Sequence, residues 1–277
     1  MSLICFANGK GAPGGTTAMV AAASLWPMER RLVVEADPEG GVLAARFGLG
    51  YEPGLVTLAA AARGSLTEAE VFEHTQPLAD RMSVICGPTA PEQAVAALAV
   101  LGPLLARRLA LLGGSGVFVD IGRGGAESPA GEFAAAADIT LLVARPRLDE
   151  LQQLELRLRA FRVRGARVGV LLVGEQPYGR DEVAAFLDPD GSGLLVETLV
   201  HDARGAAVLA GWREPVSWTL RRTGLMRTAA GLVDTLTDRL GVGLRPIGGD
   251  GARLRWRPAS EPTATGSRAP KEGRTRA

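Results

Sequence analysis

A glycine-rich loop near the N-terminus is the part of the sequence whose residue types best suit the binding of an anion. The apolar run Leu3–Ala7 predicts a buried strand, and it is followed by Gly9-Lys10-Gly11-Ala12-Pro13-Gly14-Gly15-Thr16-Thr17. Glycines allow successive backbone N–H groups to converge on one point, and a helix N-terminus favours negative charge. A strand, a glycine-rich loop and a helix in this order predict a phosphate site of the Walker A kind.

The loop departs from the Walker A pattern at its lysine. Against G-x-x-x-x-G-K-[ST] it matches at Gly9, Gly14 and Thr16, whereas Gly15 stands at the lysine position. The lysine normally places a point charge at the β- and γ-phosphates, so its loss weakens the site. Pro13 has no N–H and removes one donor as well. We therefore expect weak nucleotide binding and weak or absent hydrolysis.

Lysine is almost missing from the chain, which makes its position informative. Of 31 basic residues, 29 are arginine and only Lys10 and Lys271 are lysine. A lysine retained in a glycine-rich loop indicates a role for a compact ammonium that a planar guanidinium would not fill. The alternative is that Lys10 is an ordinary loop lysine.

The elements around the loop follow an alternating pattern. Near-continuous apolar strands that alternate with helices predict a mostly parallel sheet with helices on both faces, an α/β fold. The predicted strands are Leu3–Ala7, Arg31–Ala36, Met82–Cys86, Gly116–Ile121, Ile139–Ala144, Ala166–Val173 and Leu194–Leu199. The predicted helices are Thr16–Met28, Pro91–Leu112, Leu148–Val163, Ala203–Ala210 and Trp218–Leu240.

The composition divides the chain and excludes several classes of protein. Residues 1–243 are expected to form one domain, and residues 244–277, with eight Arg/Lys against three Asp/Glu, a disordered basic tail. A net charge of +1 argues against a nucleic-acid binder driven by bulk charge. Two cysteines and two histidines in 277 residues exclude a disulfide framework and a zinc site. No leader or membrane-spanning segment is predicted, and we expect a cytoplasmic protein.

The loop carries a resemblance to a known family. The pattern K-G-G-x-G-K-T-T, with an additional early lysine, marks the deviant Walker A ATPases, and Lys10–Thr17 aligns with it without a gap. The sequence resembles this MinD/ParA group of P-loop NTPases over most of residues 1–241. The resemblance implies a single P-loop domain, ATP or ADP with Mg²⁺, and a homodimer.

The resemblance also implies roles for individual residues. Lys10 would reach across the dimer to the partner's phosphates, and Asp37 would orient the attacking water. Asp37 lies in Val33–Gly40, which resembles D-x-D-P-x-G with Glu35 in place of the first Asp. In a segment of the form D-x-x-x-G, Asp120 would support Mg²⁺ together with Thr16, and the Gly124 N–H would meet the γ-phosphate. The implied nucleotide-binding set is Gly9, Lys10, Gly11, Ala12, Gly14, Gly15, Thr16, Thr17 and Gly124.

One simpler interpretation and one further departure accompany these roles. Asp37 also suits an ordinary turn aspartate. The positions that read adenine in the family fall near Gly174-Glu175 and Val200-His201-Asp202, which lack the usual Asn and Pro. We therefore expect base recognition to be impaired as well as hydrolysis.

The resemblance implies a function in positioning or scaffolding. Such proteins place a cell-division, chromosome-partitioning or pilus and secretion apparatus through a protein partner, and degenerate members include the TadZ/CpaE-like factors. Two alternatives stay open: a pseudo-ATPase adaptor that binds no nucleotide, and a metabolic ATP-dependent enzyme on the same fold. Any membrane contact is expected to be peripheral, at the inner face of the cell membrane and through the C-terminal tail.

Overall fold

The protein forms one eight-stranded sheet with helices packed around it. The computed structural model describes residues 2–11, 13–62, 64–212 and 220–243, so Ala12 and the tail expected over 244–277 lie outside the described residues. The strand order is β3-β4-β2-β5-β1-β6-β7-β8. The strands are β1 (Ser2–Asn8), β2 (Arg30–Glu35), β3 (Gln76–Ala79), β4 (Met82–Ile85), β5 (Ser115–Asp120), β6 (Ile139–Ala144), β7 (Val168–Val173) and β8 (Val196–Leu199).

Ten helices that lie wholly within the described ranges connect or flank these strands. They are α1 (Gly15–Leu25), α2 (Leu43–Phe47), α3 (Leu55–Ala61), α4 (Glu68–Glu73), α5 (Pro91–Leu109), α6 (Gly131–Ala136), α7 (Leu148–Val163), α8 (Arg180–Leu187), α9 (Ala203–Leu209) and α10 (Gly224–Leu240). None of the helices in these described ranges is long and apolar enough to cross a membrane.

The predicted α/β fold is confirmed, with one correction to the sheet. All seven predicted strands are present, but an eighth, β3, pairs antiparallel with β4. The sequence signal for β3 is weak because Pro77 cannot donate a ladder hydrogen bond. Sheets tolerate proline in an edge strand, and β3 is an edge strand of this sheet. The last described helix runs over Gly224–Leu240, and Thr223 caps it by accepting from the Met226 N–H at 3.4 Å; the predicted start of this helix, Trp218, lies outside the described residues.

Both faces of the sheet are buried, which explains the continuous apolar strands. In β1, Leu3, Cys5 and Ala7 face the layer that contains α3, α5 and α7, whereas Ile4 and Phe6 face the layer that contains α1, α2 and α10. Alternate residues of one strand thus enter opposite cores. The small side chains of α1 are buried throughout the helix, so this element lies close against the sheet and α10.

The parallel strands bring four chain segments together at one edge of the sheet. Glu35 and Asp120 are register partners at the ends of β2 and β5, and Asp120 also pairs with Phe6 of β1. Asn8, the last residue of β1, is opposite Val143 of β6. The glycine-rich loop therefore leaves the sheet at the carboxyl edge of its central strands, the usual place for a ligand in such sheets.

Candidate functional site

The glycine-rich loop has the backbone conformation that its glycines allow. Gly11 and Gly14 have φ values of 71° and 104°, in the left-handed region that side chains with a Cβ avoid. Gly14 directly precedes α1, and its carbonyl accepts the Ala18 N–H at 2.9 Å. The Gly9 N–H donates to Val143 O at 2.7 Å, which fixes the base of the loop to β6. Gly11 and Gly14 shape the loop, while Gly9 anchors it.

Asn8 occupies the space in which a lysine at position 15 would begin. The Gly15 N–H donates to Asn8 Oδ1 at 3.1 Å. A Cβ built on Gly15 would lie 2.1 Å from that oxygen and 2.9 Å from Asn8 Cγ. Because φ of Gly15 is not in the left-handed region, its backbone would accept a side chain. The neighbour, and not the backbone, requires glycine here.

The Asn8 contact also uses a group that the loop would offer to a phosphate. Backbone N–H groups at the start of the helix are the donors that make such a loop an anion site. Asn8 Oδ1 satisfies one of them from within the chain. Sequence reasoning missed this residue; its only signal is a polar side chain at the end of an apolar strand.

Thr16 and Asp120, the two predicted Mg²⁺ ligands, lie together. Thr16 Oγ1 donates to Asp120 Oδ2 at 2.5 Å, and the Gly122 N–H donates to Asp120 Oδ1 at 2.9 Å. Burial raises the pKa of Asp120. A hydroxyl and a carboxylate are oxygen donors of the kind that Mg²⁺ prefers, with phosphate and water completing its shell. This pair fits such an ion, although the described residues contain no cluster of three His, Cys, Asp or Glu that would hold a metal alone.

Asp37 lies beside Gly122 and close to Asp120. A Cβ on Gly122 would come within 2.1 Å of each carboxyl atom of Asp37, so this close approach requires glycine. Burial, followed by smaller contributions that include the charge of Asp120, raises the pKa of Asp37 to about 6. Asp37 Oδ1 also accepts the Glu39 N–H at 2.9 Å. Asp37 therefore has the turn contact of a loop aspartate and a position at the carboxyl edge.

Gly124 is engaged within its own turn. Its N–H donates to Ile121 O at 2.8 Å, and its carbonyl accepts from Arg157 Nη2 of α7 at 2.8 Å. The neighbouring Arg123 forms an ion pair with Glu39 of the Asp37 segment. A contact between the Gly124 N–H and a phosphate therefore requires this turn to change.

Lys10 is paired within its own chain. Its Nζ lies 3.0 Å from Asp149 Oδ2, and both side chains are about half exposed or more. The hydrogen bond from Lys10 lowers the pKa of Asp149. Nearby, Arg145 is held at 2.7 Å by the buried carboxylate of Glu150, and a Cβ on Gly11 would lie 3.3 Å from its Nη2 atom. Two cations therefore border the first half of the loop.

Glu35, which stands where the pattern D-x-D-P-x-G has its first Asp, organises the segment after β2. Its side chain is buried and accepts three backbone N–H groups, from Val42 at 2.5 Å, Leu43 at 2.9 Å and Gly87 at 3.0 Å. Burial raises the pKa of Glu35 to about 7 against these hydrogen bonds. Glu35 thereby fastens the start of α2 to the end of β4.

Arg46 is carried by α2 toward the loop, and sequence reasoning missed it. Its Nη1 atom donates to Thr17 Oγ1 at 3.4 Å. Burial lowers the pKa of Arg46, while the charges of Glu35 and Asp120 act in the opposite direction. The sequence offered no signal for this contact because 29 arginines are spread along the chain.

The segments expected at the nucleotide base have internal roles. Asp202 caps α9 by accepting the Gly205 N–H at 3.0 Å, and it also accepts the Leu225 N–H of α10 at 3.2 Å. The Gly174 N–H donates to Leu199 O at 2.8 Å. The impaired base recognition expected of these segments stays a prediction.

Comparison with solved structures places the fold among known ATPases. The septum site-determining protein MinD complexed with Mg-ADP from Pyrococcus horikoshii is 16% identical, with a TM-score of 0.67 over 88% of this chain and 98% of that one. The ParA family ATPase from Chlorobium tepidum is 16% identical, with a TM-score of 0.65 over 85% and 98%. A chain of the MinC:MinD cell division protein complex of Aquifex aeolicus is 10% identical, with a TM-score of 0.63 over 88% and 98%.

These matches confirm the predicted resemblance at the level of the fold. No family model matches the sequence, and no curated protein matches it. The similarity therefore lies in the three-dimensional arrangement of one P-loop domain.

Proposed function

We propose that this chain, which has the fold of the MinD and ParA ATPases, is a positioning or scaffolding protein that binds a Mg²⁺-adenine nucleotide weakly. The observation that carries the proposal is the contrast inside the site. Thr16, Asp120 and Asp37 are brought together at the carboxyl edge, yet Asn8 fills the place of the lysine at Gly15. A site with residues that can hold a metal ion and orient a water molecule, but without this cation, is suited to slow turnover.

Each residue of the site has a defined task in this proposal. The loop N–H groups of Gly11, Gly14, Thr16 and Thr17 bind phosphate oxygens, and the N–H of Gly15 becomes available when Asn8 turns away. Ala12 and Gly9 belong to the loop predicted from the sequence. Thr16 and Asp120 hold Mg²⁺, which when bound neutralises phosphate charge. Asp37, with a pKa of about 6, is mostly ionised at neutral pH and can accept a hydrogen bond from an attacking water.

The dimer expected for this fold requires Lys10 to leave its partner in the same chain. An exposed ion pair such as Lys10–Asp149 contributes only about 0–1 kcal/mol. A desolvated contact with a phosphate across a dimer is worth more, roughly 1.5–3 kcal/mol. The contact with Asp149 is therefore compatible with a Lys10 that changes partner when nucleotide binds.

The placement of an apparatus through a protein partner belongs to the same proposal. The Aquifex MinD is named in complex with a second cell division protein, MinC, and the Pyrococcus MinD is named for septum-site determination. We infer a role of that general kind, in division, partitioning or the placement of a pilus or secretion apparatus, through a partner protein.

A second candidate is a pseudo-ATPase adaptor that binds no nucleotide. The hydrogen bond from the Gly15 N–H to Asn8 Oδ1 favours this adaptor, because one backbone donor of the loop already has an acceptor inside the chain. On this alternative the fold serves as a surface alone.

Calorimetric titration of the purified chain with ATP and ADP, each with and without Mg²⁺, separates the two candidates. Measurable binding that strengthens with Mg²⁺, with hydrolysis far below that of lysine-bearing ATPases of this fold, supports the proposed function. No binding at millimolar nucleotide supports the adaptor. Turnover comparable to that of lysine-bearing ATPases would contradict both.

A further inference from the structure

Arg46 places a guanidinium beside the glycine-rich loop, and this group has few partners within the described part of the protein. The side chain is half-buried, and its Nη1 atom donates to Thr17 Oγ1 at 3.4 Å, a long hydrogen bond. Within the described residues it has no ion-pair partner and no other hydrogen bond from its side chain. A guanidinium carries five N–H donors, so most of those of Arg46 are available to a ligand.

The nearby carboxylates do not account for Arg46. Glu35 accepts three backbone N–H groups, and Asp120 accepts the Thr16 hydroxyl and the Gly122 N–H. Both acids attract Arg46 electrostatically, but neither reaches it as an ion pair. The Nε and Nη2 atoms of Arg46 have no hydrogen-bond partner within the described residues, and neither atom is fully enclosed by the protein. The guanidinium thus lies next to the loop, near solvent, with unused donors.

The surrounding backbone holds Arg46 in this position. Glu35 binds the N–H groups of Val42 and Leu43, and the Arg46 N–H donates to Val42 O at 2.9 Å. The segment that carries Arg46 is therefore tied to the carboxyl edge by a buried acid. Thr17, its contact, is the third residue of α1, directly after the predicted Mg²⁺ ligand Thr16.

We propose that Arg46 supplies to the bound nucleotide's phosphates the positive charge that a lysine at position 15 would supply. This inference rests on the proposed function, because it requires nucleotide at the loop. Asn8 closes the lysine's path from α1, and Arg46 reaches the second threonine of the loop from a different element. Its planar donors suit two phosphate oxygens at once, as an ammonium does not. The ligand class is a nucleoside di- or triphosphate.

Affinity for Mg-ADP in the Arg46→Met variant tests this role. We expect a loss of about 10–100-fold relative to the wild type, the usual effect of removing one charge-assisted contact. The loss should shrink as salt rises from 0.05 to about 0.5 M, because screening weakens the wild-type contact. Calorimetry measures the affinity, and thermal unfolding establishes that the variant is folded.

Arg31→Met is the matched control. Arg31 is a buried arginine at the opposite end of β2, where it donates to Ser24 O at 3.0 Å and Asp80 O at 2.5 Å. Its loss should lower stability without changing nucleotide affinity. If Arg46→Met behaves in the same way, binding Mg-ADP as tightly as the wild type, Arg46 only balances Glu35 and Asp120, and the inference is overturned.

Arginine modification of the wild-type chain keeps the test decisive if Arg46→Met does not fold. Phenylglyoxal labelling with peptide mass spectrometry should show that saturating Mg-ADP protects Arg46, while the exposed Arg81 labels equally with and without nucleotide. Unchanged labelling of Arg46 at saturation overturns the inference and leaves the proposed function intact. A wild-type chain that binds no nucleotide overturns both.

Discussion

At the scale of single residues, the site is decided by the contact between Asn8 and Gly15. The short distance from Asn8 Oδ1 to a Cβ at position 15 means that Gly15→Lys alone forces an overlap in a tight place. Overpacking of this kind costs typically 1–3 kcal/mol of stability. The two positions therefore have to be changed together if the loop is to regain its lysine.

We expect Gly15→Lys to lower the melting temperature and Asn8→Ala/Gly15→Lys to recover most of that loss. The double variant should also hydrolyse ATP faster than Asn8→Ala, by up to about 10²–10³-fold, because one well-placed electrostatic donor is worth that much in a transition state. Thermal unfolding and steady-state phosphate release measure both effects. A single Gly15→Lys variant as stable as the wild type would show that Asn8 does not restrict this position.

The raised pKa of Asp37 predicts a pH dependence of stability. Its pKa rises from 3.8 to about 6 on folding, so the folded state holds the proton more tightly than the unfolded chain in that interval. The free energy of unfolding therefore falls as the pH rises from about 4 to about 6, and the loss persists above. Asp37→Asn should be about 1–2 kcal/mol more stable than the wild type at pH 7.5, after allowance for partial exposure, and equal to it near pH 3.

Denaturant titrations of the wild type and Asp37→Asn between pH 3 and pH 8 measure this difference. Asp181→Asn is the matched control, since that side chain is 94% exposed and the same substitution there should change stability by less than about 0.5 kcal/mol. A constant difference between wild type and Asp37→Asn at every pH would contradict the raised pKa.

At the scale of elements, α7 holds the turn after β5 through one arginine. Arg157 donates to Arg123 O at 3.3 Å and to Gly124 O at 2.8 Å, and its guanidinium lies 5.6 Å from the centre of the Phe161 ring. Its buried Nε has no partner in the described part of the chain. The contact fixes the Gly124 turn in the form that keeps its N–H on Ile121.

Arg157→Met should loosen that turn. We expect a loss of about 1–3 kcal/mol of stability, because two charge-assisted hydrogen bonds are removed, and faster amide exchange at residues 122–125. Arg159→Met is the control on the same helix: its ion pair with Glu155 is exposed, and its loss should stay within about 0.5 kcal/mol. Exchange mass spectrometry and denaturant midpoints provide the two readouts. Equal exchange at residues 122–125 in both variants would rule out this coupling.

The elements also show where sequence reasoning succeeds and where it ends. The seven predicted strands and the loop are local features of the sequence. A strand that is buried on both faces has a continuous run of apolar residues, which the sequence shows directly. The contact between Asn8 and Gly15 joins the two ends of a loop, and the contact between Arg46 and Thr17 joins residues 29 positions apart. Neither contact has a local sequence pattern that would predict it. The short helices α2, α3 and α4 lack a full amphipathic repeat, and β3 contains Pro77. Thr16 and Asp120 were predicted together because their motifs carried them.

At the scale of the whole molecule, the proposed function requires a dimer in which two loops face each other. Lys10 is then the residue that connects the two chains, because the loop contains no other lysine. Its pairing with Asp149 in the same chain sets the competition that nucleotide must overcome. Since an exposed pair is weak, even weak nucleotide binding is enough to shift Lys10 toward a phosphate.

We expect Lys10→Ala to abolish ATP-promoted dimerisation while leaving the monomer folded, because the side chain is about half exposed and its ion pair with Asp149 is an exposed one. Lys10→Arg should not fully restore the dimer, since a planar guanidinium is bulkier than an ammonium in a tight loop. Asp149→Asn should dimerise at least as readily as the wild type, because it releases Lys10 from its partner. Lys271→Ala, at the only other lysine, is the matched control. Light scattering with a slowly hydrolysed ATP analogue measures the dimerisation of each variant.

Two outcomes would contradict this prediction. The wild type could be dimeric with or without nucleotide, or Lys10→Ala could still dimerise when the analogue is added. Either outcome would favour the adaptor, because the charge at position 10 would then make no contact between the chains.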